Sequence, residues 1–374
     1  MRFPTHVKVG VCYIARLMAP LYEIPPSTQI ETRAVLKALN TARSQLALLQ
    51  GVASAMPNQD ILYKTLSLQE AKDSSEIENI ITTHDDLYKA TIDITGVSSQ
   101  QAKEVQNYVA ALDVGYRRVV STGLITNSTI LEIQRTLEGN DAGFRTVAGT
   151  QLRNERTGEI VYTPPQDADT IKEQMRLLEQ FLNAPEDDGY DPLVSMAIAH
   201  HWFESIHPFY DGNGRTGRII NILYLITQQL LDAPILYLSS YIVRNKSKYY
   251  ELLQRVRTDG AWEEWVLYII EGVAQTAKAT VALVKDIRAL LQSIKQEVRA
   301  KHAFYSQDLL NHLFRHPYTK IKYLEEDLRI SRKTASKYLD TLAEDGLLNK
   351  MKLGRDNYYV NHRLFRTLTE RSFV

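Results

Sequence analysis

His207-Pro208-Phe209-Tyr210-Asp211-Gly212-Asn213-Gly214-Arg215-Thr216-Gly217-Arg218 is the stretch from which the rest of the chain is read. Gly212 and Gly214 let the backbone come close to a ligand and turn its N–H groups toward one point. An apolar helical run begins there, with Ile219, Ile220, Ile222, Leu223, Leu225 and Ile226, so the positive end of a helix faces the same point. Arg215 and Arg218 stand three apart at that helix start, and both suit phosphate oxygens. Asp211 is a hard oxygen ligand fit for Mg²⁺ held jointly with phosphates. His207 is the one side chain of the stretch that takes a proton near neutral pH. Pro208 and Phe209 are expected to wedge the loop into a core. The sum is a polyphosphate cradle with a metal ligand and a base, the equipment for phosphoryl or nucleotidyl transfer.

Each element alone has an ordinary structural reading: a core histidine, a tight turn, a solvated pair of arginines. Their conjunction within one short segment sets those readings aside. Gly212, Gly214 and Gly217 also satisfy G-x-G-x-x-G, with Asp232 at the distance of a ribose ligand. Residues 197–206 read as helix, however, and no alternation of strand and helix follows, so a dinucleotide-binding sheet is not expected.

Outward from this segment helical periodicity dominates. Leu36, Leu39, Leu46 and Leu49 mark an early helix after Pro25 and Pro26. Others are expected over residues 67–81, 99–118, 127–137, 168–182, 192–206 and 214–231. The last is apolar nearly all round and belongs in the middle of a bundle. Residues 146–165 differ: β-branched residues, a Thr157-Gly158 turn and a closing Pro-Pro predict a β-hairpin.

The chain has 374 residues, a net charge of zero and 44% apolar residues. That is room for more than one domain, without a charge bias toward polyanions. The lone Cys12 excludes an internal disulfide and cysteine metal clusters, which fits a cytoplasmic setting. No apolar run reaches membrane-spanning length, and His6, Lys8 and Arg16 interrupt the mildly apolar N-terminus, against a signal peptide. Composition shifts near residue 296. Residues 315–374 carry 13 Lys or Arg against 8 Asp or Glu. Helices over 321–328 and 331–344, the latter capped by Ser331, precede strand-like runs at 347–353 and 357–360. That is the order of a winged helix-turn-helix. The tail has two readings. One is DNA binding through Arg332, Lys333 and Lys337 on the recognition helix and Lys350, Lys352 and Arg355 on the wing. The other is a protein-docking or dimer module. Three regions follow: 1–98, 99–295 and 296–374.

The segment at 207–218 matches the Fic signature HPFx[D/E]GNGRxxR at every specified position, and His200, Phe203, Glu204 and Ile206 before it also resemble that family. The resemblance spans about residues 28–291, and the whole arrangement is similar to the SoFic subgroup with its winged helix. It implies a mainly α fold, a helical bundle with a β-hairpin flap plus the winged helix-turn-helix. The implied activity is that of a protein adenylyltransferase, moving AMP from ATP to a target hydroxyl. On that resemblance His207 is the catalytic base and Asp211 the Mg²⁺ ligand. Gly212, Asn213, Gly214, Arg215 and Arg218 hold the phosphates, Thr216 and Gly217 belong to the same ATP site, and Tyr249, Tyr250 and Arg257 surround adenine. Glu159, Ile160, Val161, Tyr162 and Thr163 form the flap, which pairs with an extended target segment. Gly214 stands where the related Doc kinases carry Lys, which argues for AMP transfer over phosphorylation.

Ser74-Ser75-Glu76-Ile77-Glu78-Asn79 matches [S/T]xxxE[G/N], the family's inhibitory motif. Ser74 and Glu78 share a helix face. The resemblance implies that Glu78 pairs with Arg218, competes with the γ-phosphate and binds at the edge of the ATP site. Other readings stay open: a nucleotide-sensing transcription regulator, or AMP removal and other transfers by a related site. The target protein, self-modification and a homodimer are likewise open.

Overall fold

The computed structural model describes residue 26 and residues 30–56, 58–91, 99–154, 157–184, 189–353 and 356–370. Cys12, the N-terminal stretch with His6, Lys8 and Arg16, and the wing residue Arg355 lie outside them.

Helix α1 (Arg33–Ser54) starts where the Thr32 hydroxyl accepts the Val35 N–H at 3.3 Å. Its stripe of Val35, Leu39, Leu46 and Leu49 is buried, whereas Leu36 is half exposed. Helix α2 (Gln59–Ile77) begins well before the expected residue 67 and stops short of residue 81. The reason is physical. Thr65, Ser67, Gln69, Glu70, Ser74 and Ser75 are all buried in it, so polar residues inside blur the apolar stripe. The Asn58 side chain caps it, accepting from the Asp60 N–H at 3.0 Å. Asn79, at φ 61°, turns the chain away after Glu78.

Next come α3 (His84–Thr91), α4 (Gln100–Thr122) and α5 (Asn127–Glu138). Ser99 and Thr126 cap the last two, and Gly123 and Gly139 end them in left-handed backbone. Strands β1 (Leu152–Arg153) and β2 (Ile160–Tyr162) pair antiparallel around the Thr157-Gly158 turn, the expected hairpin in shortened form. Helix α6 (Ala168–Asn183) leads to α7 (Pro192–Ile206) and α8 (Asn213–Thr227). In α7 and α8 almost every residue is buried, as all-round apolarity predicts for central helices. Helix α8 ends before the expected residue 231, at Gln228.

Three further helices were not read from the sequence: α9 (Ser239–Arg244), α10 (Lys246–Asp259) and α11 (Trp262–Lys301). At 40 residues α11 runs straight through residue 296, the expected boundary. It is long and apolar enough to cross a membrane by length and composition. Its apolar window is 67% buried within the bundle, the mark of a core helix packed on α1 and α7.

The tail holds α12 (Gln307–Arg315), β3 (Tyr318–Lys320), α13 (Ile321–Leu328), α14 (Arg332–Glu344), β4 (Asn349–Leu353), β5 (Asp356–Val360) and α15 (His362–Glu370). The sheet order is β3-β5-β4, and Ser331 caps α14 by accepting the Thr334 N–H at 3.2 Å. This is the winged helix-turn-helix order, closed by an unforeseen helix that returns to α11. Arg332, Lys333 and Lys337 are exposed on α14, whereas Lys350 is tied to Asp340 at 2.7 Å.

Candidate active site

The loop between α7 and α8 is fixed from three sides. His207 ends α7 in left-handed backbone, φ 49°, its N–H on the Phe203 carbonyl at 2.9 Å. Phe209 is fully buried, as the wedge requires. The Asn213 side chain closes the loop on itself, accepting the Phe209 N–H at 2.8 Å and donating to the Phe209 carbonyl at 2.9 Å. Asn213 thus spends its amide on the loop. Arg145 supplies the third restraint. It is buried and donates Nε to the His207 carbonyl at 2.8 Å and Nη2 to the carbonyls of Pro165 and Ile206. Its own N–H reaches the Pro208 carbonyl at 2.8 Å. Sequence reasoning missed Arg145, because a lone arginine in a loop carries no local signal.

Burial, followed by the charges of Arg145 and Arg257, lowers the His207 pKa to about 4. The imidazole is therefore neutral at ordinary pH, a proton acceptor, and its Nδ1 is buried without a partner. Gly212 adopts φ 75°, and a Cβ there would collide with the Glu138 carboxylate. A Cβ on Gly214 would strike Glu78 and come within 3.0 Å of Arg218 Nη1, and one on Gly217 would crowd Glu204 and Phe203. Asp211 is exposed on the loop, its Oδ1 accepting the Gly212 N–H at 2.7 Å. Thr216 is fully buried, with an Oγ1 that has no partner.

The two arginines part company. Arg218 is buried and paired with Glu78 at 2.7 Å. Its Nε donates to Ser74 Oγ at 2.8 Å and its Nη2 to the Ser74 carbonyl at 3.0 Å. Burial opposes its charge, but Glu78, Tyr249 and Glu204 outweigh that and hold the guanidinium charged. The geometry expected of the inhibitory motif is thus present, with Glu78 just past the end of α2 as its C-cap. Asn79 Oδ1 accepts from Lys246 at 2.9 Å, which anchors the turn. Arg215 is also buried, but it pairs with Glu138 at 2.9 Å and Glu104 at 3.3 Å. Neither carboxylate was singled out in the sequence. Glu204 lies beside Arg218; burial raises its pKa to about 7, with Arg218 opposing and Glu78 adding, and Oε1 has no partner.

The expected adenine residues separate likewise. Tyr249 is in the core, bonded to His200 Nε2 at 2.8 Å, and Tyr250 is 45% exposed. Arg257 lies 3.9 Å over the Tyr162 ring and donates to Ser205 Oγ at 3.1 Å, while Tyr162 donates to the Ser205 carbonyl at 3.0 Å. Arg257 therefore locks the flap to the end of α7. Glu159 and Thr163 are exposed, as are Ile160 and Val161 at 48% and 42%.

A helical bundle that presents a glycine-lined loop, a neutral histidine and a helix start at one point defines a class of phosphate-handling proteins. Three family models match in succession: Fic/DOC family N-terminal over residues 36–117, Fic/DOC family over 124–225, and the C-terminal domain of SoFic-like protein adenylyltransferases over 290–364. The chain belongs to the Fic/DOC family. In fold it is similar to a Fic family protein from Desulfovibrio desulfuricans G20, with a TM-score of 0.57 at 20% identity over 90% of this chain and 97% of that one. It is also similar to Fic-1 from C. elegans, with a TM-score of 0.52 at 22% identity over 75% and 78%. Among curated relatives, Protein adenylyltransferase Fic of Drosophila ananassae is 29% identical over 136 residues, 35% of this chain. The chain spans about a quarter of the length of such relatives, 26% in that case.

Proposed function

We propose that this chain is a protein adenylyltransferase, moving AMP from ATP to a Ser, Thr or Tyr hydroxyl of a target protein, restrained by Glu78. The carrying observation is His207, held neutral in the glycine loop that opens α8. In this reading His207 takes the proton of the target hydroxyl. The oxygen then bonds to the α-phosphorus, and the bond to pyrophosphate breaks. With Nδ1 buried, Nε2 is the nitrogen that receives the proton. The α8 N–H groups and Gly212 and Gly214 hold the phosphates. Arg218 takes the γ-phosphate once Glu78 yields it.

Among the described residues no cluster of three or more metal-ligating side chains occurs. Mg²⁺ nonetheless fits, because that ion is commonly held by one or two carboxylates plus substrate phosphates, and Asp211 offers an exposed carboxylate on the loop. When bound, Mg²⁺ would neutralise phosphate charge. The free edge of β2, with Ile160 and Val161 turned to solvent, suits strand addition by a target segment. Arg257 and Tyr162 serve that purpose by fixing the flap.

AMP removal is the second reading. It draws on Glu78, a carboxylate beside Gly214 that could orient water. ATP labelled at the α- or at the γ-phosphate, offered with Mg²⁺ to Glu78→Gly and to Glu78→Gly combined with His207→Ala, tests the proposal. It requires α-label, and no γ-label, on protein only when His207 is present. No α-label in either would discard AMP transfer.

A further inference from the structure

AMP transfer makes no use of the face that α14 and β4 build in the winged-helix tail. The tail docks on the bundle through α12, which packs on α2, and through α15, which packs on α11. Elsewhere in the tail, Arg332, Lys333 and Lys337 are exposed on the first half of α14, and Arg329 is exposed in the turn before it, at φ 52°. Lys350 of β4 reaches Asp340 of α14 at 2.7 Å, so the strand lies alongside the helix. Lys352 is exposed two residues further along β4 and shares the strand face of Lys350.

Among the described residues none of these five cations is in an ion pair, whereas the acids around them are mostly committed. Asp340 holds Lys350, Asp345 meets His302 at 2.6 Å, Asp327 meets His312 and Arg315 at 2.6 Å, and Glu326 lies 3.7 Å from Lys322. Of the acids left over, Glu325 is half-buried on α13, and Glu344 stands about 10 Å beyond Lys337 by helical rise. A row of uncommitted positive charge is complementary to a polyanion. It is not complementary to a protein surface, whose interfaces deplete charge at an apolar core. The exposed large apolar side chains of the described residues end at Tyr250, so none lies in the tail to form such a core.

We propose that α14 and β4 form a binding face for duplex DNA, with α14 in the major groove and the five cations on the phosphates that flank it. The order α13, turn, α14 makes α14 the second helix of the motif, the one that enters the groove. Phosphate contacts fix position rather than sequence, so the affinity is general to DNA duplexes and steep in salt. Duplex RNA is a poorer fit, because its major groove is too deep and narrow to be read from within.

The test is the fluorescence anisotropy of a labelled, mixed-sequence DNA duplex of about 20 base pairs, titrated with the full chain. Five neutralised phosphates give a slope of log affinity on log salt of about −4.5, which is about 500-fold between 50 and 200 mM. Lys333→Gln combined with Lys337→Gln removes two exposed contacts without touching the core, and should flatten that slope to about −2.7. Lys278→Gln, exposed on α11 in the bundle, should change neither affinity nor slope. The proposal is overturned by no binding at 50 mM salt and about 100 μM protein. It is equally overturned by a slope that the double variant leaves unchanged, by equal loss in Lys278→Gln, or by equal affinity for duplex RNA. Since the readout needs neither ATP nor His207, its failure is separate from that of AMP transfer.

Discussion

At the scale of residues the site turns on His207 and on Arg218. The pKa of about 4 for His207 has a direct consequence. A base is active when unprotonated, so the transfer rate should stay flat from pH 8 downward and fall only as pH approaches 4. A rate profile that halves near 6.5, the value of an ordinary histidine, would show that His207 is exposed during catalysis. Arg145 makes the second residue-scale case. Replacing it with Met strips donors from the carbonyls of Pro165, Ile206 and His207 in a buried setting. The expected loss is about 3 kcal/mol of stability, read from the urea midpoint. His207, Asp211, the glycines and the Ser74–Glu78 spacing were legible in sequence because each depends on local spacing. Arg145, Glu104 and Glu138 were not. They reach the loop and Arg215 from segments distant in the chain, and only folding brings them together.

Elements add what single residues cannot. Periodicity located α4 to α8 well, since each has a clean buried stripe or is buried all round. It misplaced α2, where buried polar residues mask the stripe. It passed over α10, which has only four buried positions: Tyr249, Leu252, Leu253 and Val256. Arg257 in that helix was read from resemblance as an adenine contact; the fold also places it over the flap's Tyr162. The flap carries a prediction of its own. Val161→Pro removes a backbone N–H from an exposed strand. It should raise KM for a protein target several-fold, with ATP affinity unchanged by calorimetry. Equal loss of both would mean that the flap acts on the nucleotide instead.

The whole molecule joins bundle and tail through α2 and its neighbours. Gln69 donates to the Leu368 carbonyl at 3.0 Å, and Tyr318 bonds Asp85. The interior also stores a pH dependence. Burial first of all holds His84, His200, His201, His207, His312 and His316 below their ordinary pKa of 6.5. Below 6.5 the unfolded chain binds protons that these groups decline, so their stabilisation is full above 6.5 and is lost progressively as pH falls below it. Glu70, Asp73 and Glu204, raised by burial to about 7, 6 and 7, work the opposite way. Their contribution is full below their unfolded values and is lost as pH rises through 6 to 7. His362 joins the histidines and Glu138 the carboxyls, seven groups against four, so the urea midpoint should drop between pH 6.5 and 5. A midpoint that rises over that range would mean that the carboxyls dominate.

The most direct test of the central claim compares initial rates of α-labelled AMP transfer by wild type and Glu78→Gly at saturating ATP and Mg²⁺. Misplacement of a reacting group by about 1 Å can cost on the order of 10²-fold. Releasing Arg218 from Glu78 should therefore accelerate labelling by up to that order, and His207→Ala in the same background should abolish it. Equal rates in wild type and Glu78→Gly would contradict the brake, and label that persists without His207 would contradict the chemistry.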